Sequence, residues 1–79
     1  MASYAEPAAY YEILVAGKLD EVWADWFSGL TLRPGPTGTT LLAGYVADQA
    51  ALHGHLACIR DLGLPLLAVL RRSHPGRGP

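Results

Sequence analysis

Cysteine occurs once, at Cys58, in a chain of 79 residues. A single thiol closes no intramolecular disulfide, and no zinc framework can be written around it. Charge is sparse as well: Asp, Glu, Lys and Arg make up 16% of the residues, and the formal net charge is −1. That balance is uneven along the chain. Residues 1–70 hold three basic and seven acidic side chains, a net −4, whereas residues 71–79 hold Arg71, Arg72 and Arg77 with no acid, a net +3. A mildly acidic main part argues against a nucleic-acid-binding core. Apolar runs reach only about six residues, far short of the roughly 20 that span a bilayer. No basic segment followed by an apolar run opens the chain, so no signal peptide is expected. The expected setting is cytoplasmic, with neither membrane nor nucleic acid as partner.

What the chain has is apolar side chains, 51% of its residues. A domain this small buries only roughly 60% of its unfolded surface. Small scaffolds usually add disulfides, a metal or oligomerisation to a thin core. With the first two closed, a homodimer is the expected solution.

Residues 1–9 are alanine-rich and lack a hydrophobic period, and they are expected to form a mobile arm. One domain over 10–72 follows, then a basic Gly/Pro/Arg tail over 73–79 expected to be disordered. Tyr11, Ile13 and Val15 alternate with Glu12, Leu14 and Ala16, the period of two that marks a strand. Asp20 then stands as a helix N-cap, with Glu21 in the first turn and Val22, Trp23, Trp26 and Phe27 as an apolar stripe ended by Gly29. Residues 30–33 and 39–46 read as strands joined by the Pro34-Gly35-Pro36-Thr37-Gly38 turn. Asp48 caps a second helix with Leu52, Leu56 and Ile59 on one face, closed by Gly63, and 66–72 is the fourth strand.

The order β-α-β-β-α-β predicts an α+β fold of ferredoxin-like type, a four-stranded antiparallel sheet with two helices on one face. The other face is then bare. With Ile13, Val15, Leu42, Val46, Leu67 and Val69 turned to the helices, that face carries Leu14, Ala16, Leu41, Ala43, Tyr45, Leu66, Ala68 and Leu70. A solvated face alternates to polar residues, and this one does not. Exposed apolar patches of several hundred Å² mark interfaces or ligand grooves. These eight residues are therefore the candidate interface, through the sheet face or an edge strand.

Chemistry-bearing constellations are thin. His55 and Cys58 stand at i and i+3 on the second helix, but zinc takes at least three protein ligands, so no metal and no cofactor is expected. His53 and His55 point about 200° apart on a helix and cannot share an ion. No serine has a histidine placed by a recognisable motif. The turn at 35–40 lacks the lysine of a phosphate loop and joins two strands. Glu12, mid-strand on the apolar face, demands a partner such as Arg33 or Arg71. If a small-molecule site exists between helices and sheet, Tyr11, Glu12, Trp23, Trp26 and His55 are its candidates, although aromatics at helical spacing more often belong to a core.

The pattern YEILV at 11–15 with Gly17, Leu19-Asp20, Trp23, Trp26-Phe27 and Gly29-Leu30-Thr31, then 48–54 and 59–67, resembles a group of small uncharacterised bacterial proteins. The resemblance covers residues 11–69 and implies a shared fold without an established activity. More loosely, the expected topology is similar to dimeric α+β barrel proteins and ACT-type regulatory domains, a likeness of fold that carries no function. The expected function is a non-enzymatic dimeric interaction module. The alternatives are a small-molecule-binding protein or cofactor-free enzyme, and an accessory protein that docks on a larger enzyme as its protein partner.

Overall fold

A computed structural model describes residues 8–72. The arm over 1–7 and the tail over 73–79 lie outside the described residues. In chain order the elements are β1 (Ala9–Ala16), a 3-10 helix (Glu21–Trp26), β2 (Leu30–Pro34), β3 (Thr39–Val46), α1 (Gln49–Asp61) and β4 (Leu66–Arg72). The strands form one sheet in the order β2-β3-β1-β4, each neighbour antiparallel.

The expected ferredoxin-like fold with two helices fails at the first of them. Between Gly17 and Gly29, which hold positive φ of 104° and 86°, the chain makes only six residues of 3-10 helix. Its hydrogen bonds run from the Trp23 N–H to the Asp20 carbonyl at 2.9 Å and from the Phe27 N–H to the Ala24 carbonyl at 3.0 Å. Asp20 occupies the N-cap position but makes no side-chain cap. A β-branched residue, two tryptophans and an aspartate are indifferent helix formers, and so short a segment cannot offset the cost of nucleating a regular helix. In 3-10 geometry i and i+3 eclipse, which sets the Trp23 and Trp26 rings edge to face at 5.2 Å. The expected apolar stripe is not buried: Val22 is 74% and Trp26 54% exposed. Phe27 alone turns inward, and it is fully buried.

The second helix forms as its signals predict. The Ala51 N–H donates to the Asp48 Oδ1 at 2.8 Å, an N-cap bond. At the other end the Leu64 N–H reaches the Ile59 carbonyl at 3.2 Å and the Gly63 N–H reaches the Arg60 carbonyl at 3.0 Å. With Gly63 at φ 75°, this is a Schellman termination. Leu52 and Ile59 are buried and Leu56 packs beside them. The β2–β3 turn holds Thr37 and Gly38 at φ 42° and 73°, the pair of positive angles of a type I′ hairpin turn, whose twist matches the flanking strands.

The core lies between the sheet and its helical side. Tyr11, Ile13 and Val15 of β1 meet Phe27, Leu30, Leu42, Val46, Leu52 and Ile59. Ile13 stands opposite Leu42 and Val69, and Leu42 opposite Leu32, so one apolar row crosses all four strands. Two features hold the segment after β1 against β3. Thr40 is buried, yet its hydroxyl donates to the Gly17 carbonyl at 2.8 Å and accepts from the Leu19 N–H at 3.0 Å. Gly44 has no Cβ to obstruct the Gly29 carbonyl, which lies where that Cβ would be. The loop before β2 can therefore lie close on β3 and carry Phe27 into the core.

Candidate functional site

The helical side of the sheet is covered unevenly. The 3-10 helix packs against β2 and α1 against β3, while β4, at the far edge, packs chiefly on β1. Its apolar side chains are left in solvent: Leu66 is 47%, Leu67 52%, Val69 37% and Leu70 49% exposed. They lie on both faces of the strand, because Ala68 and Leu70 stand opposite Leu14 and Glu12, and Val69 stands opposite the core residue Ile13. A register shift between Leu14 and Val15 places Leu66 across from Val15, also a helical-side residue, so strict alternation stops short of Leu66.

The opposite face of the sheet is less bare than a row of apolar letters implies. Tyr45 is exposed and makes an edge contact with Tyr10 at 5.3 Å. Leu14, Ala16, Leu41 and Ala68 are half-buried. Ala43 is already buried, flanked by Glu12 and Thr31 across its two ladders, and has little surface left to give a partner. Glu12 does find a cation there, but it is Arg72 and neither Arg33 nor Arg71: the Arg72 Nε donates to Oε1 at 2.7 Å. Alternation explains the choice. Arg71 pairs with Tyr11, a helical-side residue, whereas Arg72 pairs with Tyr10 on Glu12's own face.

Tyr11, Glu12, Trp23, Trp26 and His55 do not converge on a site. Tyr11 is buried, with its hydroxyl accepting from the Gln49 Nε2 at 3.0 Å, and Glu12 points to the other side of the sheet. The Trp23 and Trp26 rings meet edge to face, with Trp23 half-buried and Trp26 exposed. His55 lies beside Phe27, ring centroids 6.1 Å apart, and burial holds its imidazole below the ordinary value of 6.5. Cys58 does not face His55 in a thiol–imidazole pair; its Sγ lies 3.9 Å from the Trp26 carbonyl, a weak donor contact. Among the described residues no group of three or more His, Cys, Asp or Glu is placed to hold a metal ion. None of the helices among them is long and apolar enough to cross a membrane.

Of the surface pockets among the described residues, two are small, one with a mainly polar lining and one with a mainly apolar lining. One of about 300 Å³ is lined by Ala8, Ala9, Arg71 and Arg72. The other, about 270 Å³, lies between Lys18, Leu19 and Asp20 and the β2–β3 hairpin. Neither is lined by any of the five small-molecule candidates. The residues that periodicity did not offer as interface are Leu67 and Val69. Both fall on the helical side under strict alternation, yet the described helices pack chiefly on β2 and β3 and both side chains stay exposed.

No match was found among curated proteins or among solved structures. A family model described as Domain of unknown function (DUF8691) matches residues 10–70, which takes in both helical segments, β2, β3 and all but the outer ends of β1 and β4, and the chain belongs to that family.

Proposed function

We propose that the chain is a non-enzymatic interaction module that self-associates to a homodimer, with β4 at the centre of the contact. The observation that carries this is the exposure of Leu66, Leu67, Val69 and Leu70 on both faces of one edge strand. Side chains of this kind contribute about 1.5–3 kcal/mol each when fully buried, so covering them is worth a large share of the stability of a small domain. A second copy supplies the cover at no cost in specificity, since the same surface meets itself. A cytoplasmic setting suits Cys58, a free and half-buried thiol. Molar mass by light scattering over a concentration series tests the proposal. A dimer mass that falls towards the monomer only on dilution is the expected result. A monomer at every concentration would overturn it and leave a different protein as the partner of β4.

A further inference from the structure

We infer that the edge-to-face pair of Trp23 and Trp26 is a docking corner for an arginine-bearing segment of a protein partner, on a surface separate from β4. The 3-10 helix packs on β2. Strands β2 and β4 are the two ends of the sheet, three strand spacings or roughly 14 Å apart. The ring centroids of the pair stand 5.2 Å apart with 76° between their planes, so the two indoles form adjoining walls. Trp23 is half-buried, while Trp26 and Val22 are exposed. Single exposed apolar side chains are ordinary. Here three fall within one six-residue segment, and two are tryptophans, a residue type concentrated at interfaces. The corner is also held in place. Phe27, next in the chain, is fully buried; its N–H donates to the Ala24 carbonyl at 3.0 Å and its carbonyl accepts from the Leu30 N–H at 2.9 Å. A surface fixed before binding loses less entropy on binding.

The charge around the corner selects the occupant. Residues 20–26 carry Asp20, Glu21 and Asp25 and no basic residue, and all three carboxylates are exposed. The ion pairs among the described residues are Arg60–Asp61 and Arg72–Glu12, so none of the three has a counter-charge there. In 3-10 geometry residues three apart eclipse. Asp20 therefore stands in line with Trp23 and Trp26, and Asp25 lies in the neighbouring row with Val22. A cation over an indole face is drawn to the ring quadrupole. A guanidinium suits the corner better than an ammonium, because it is flat, stacks on a ring and still forks its N–H groups to a carboxylate. An acidic segment would be repelled, and a purely apolar one would gain nothing from the three carboxylates. A small molecule is usually enclosed on most sides. This corner is open, and neither of the two pockets described above is lined by a tryptophan. The open shape fits a side chain presented by a peptide, with Val22 left to meet an apolar neighbour of the arginine.

Fluorescence of the full chain reads this surface directly, because its only two tryptophans are Trp23 and Trp26. The probe is the synthetic peptide acetyl-Gly-Arg-Val-Arg-Gly-amide; the control peptide carries citrulline, a neutral isostere, at both arginines. The arginine peptide is expected to give a saturable change in emission that weakens as salt rises, and the citrulline peptide none. Trp26→Ala, followed through Trp23, is expected to weaken binding about 5- to 10-fold. Asp25→Asn is expected to weaken it roughly 2- to 3-fold. Tyr45→Ala removes an exposed aromatic elsewhere on the sheet and is expected to leave binding unchanged. Far-ultraviolet dichroism checks that each variant keeps the parent fold, and Asp25→Asn, at an exposed position, carries the test if Trp26→Ala unfolds. No saturable response up to about 10 mM arginine peptide would overturn the proposal. An equal response to the citrulline peptide would overturn it too, since the cation would then select nothing. An Arg77→Gln chain that binds the peptide about 10-fold more tightly than the parent would make the chain's own tail the occupant and remove the separate partner.

Discussion

The two edges of this sheet have been finished in opposite ways. At β2 the chain is short, ends in Arg33-Pro34, and is roofed by the 3-10 helix with Phe27 fully buried beneath it. At β4 the strand is longer, carries apolar residues on both faces and packs chiefly on β1, the described helices packing chiefly elsewhere. The difference teaches that the missing regular helix is not repaired among the described residues. The six residues after Asp20 that turn in 3-10 form cover one side of the sheet only, and α1 sits over the middle. The uncovered side is left to something else, and its side chains suit a strand of the same kind.

The largest effect is expected where the covered edge depends on one side chain. Phe27→Ala removes the only wholly buried residue that the 3-10 segment and its loop place in the core. Truncating a buried Phe costs about 3–5 kcal/mol, which is a large part of the stability of a domain of this size. Urea unfolding followed by fluorescence of Trp23 and Trp26 measures it. A loss below about 1 kcal/mol would mean that the β2 side closes without Phe27, and the contrast between the edges would rest on Arg33 and Pro34 alone.

Removing those two devices is the next test. Arg33→Val with Pro34→Val makes β2 resemble β4, giving the sheet two open edges. A molecule with two self-pairing edges has no closed symmetry to stop at, so the variant is expected to grow past the dimer, with a mass that rises continuously with concentration. A variant that stops at the parent mass would show that the 3-10 helix shields β2 sterically and that Arg33 and Pro34 are incidental.

Much of this contrast was legible in the letters, and the part that was not has a physical cause. Alternation in Tyr11, Ile13 and Val15, the Asp48 cap and the turn read over 34–38 are local signals, and the strand, the helix and a tight turn within 34–38 form where they point. The segment after Gly17 is ambiguous in the letters, because Asp20, Glu21 and spaced aromatics mark the start of an α-helix and of a 3-10 turn equally well. Length decides between them, and the glycines at 17 and 29 leave little of it. Strict alternation likewise turns Leu67 and Val69 to the helical side, where the structure leaves both exposed. The partner of Glu12 was within reach of parity reasoning, since Arg72 and not Arg71 shares its face. The Thr40 latch was not, because one threonine within a strand carries no periodic signal and its two hydrogen bonds join residues 21 and 23 positions away.

The ion pair at the open edge offers a smaller effect. The Arg72 side chain remains 46% exposed against Glu12 at 20%, and pairs in such surroundings are worth about 0.2–1 kcal/mol. Arg72→Ala is therefore expected to lower stability by less than about 1 kcal/mol in urea. If Arg72 sits at the end of the contact proposed around β4, the dimer dissociation constant changes by a few-fold at most, roughly the same energy. A complete loss of dimer in this variant would move the contact from β4 towards the open face.

The smallest effect separates the edges by pH. His55 lies beside Phe27, and burial holds its pKa below 6.5. As pH falls through 6.5 the unfolded chain takes up this proton before the folded chain does, so more protons are bound in the unfolded state and stability declines with falling pH. The contribution is complete above 6.5 and is lost progressively down to the depressed folded value. Comparing urea midpoints at about pH 7.5 and about pH 5.5 for the parent and for His55→Gln isolates it from the carboxylates, which both chains share. The parent is expected to lose more than the variant between the two. Because His55 belongs to the covered side, its protonation should weaken folding without loosening β4 from its copy. A dimer constant that changes with pH in the parent and not in His55→Gln would couple the two edges, and the sheet would then have to be treated as one cooperative surface.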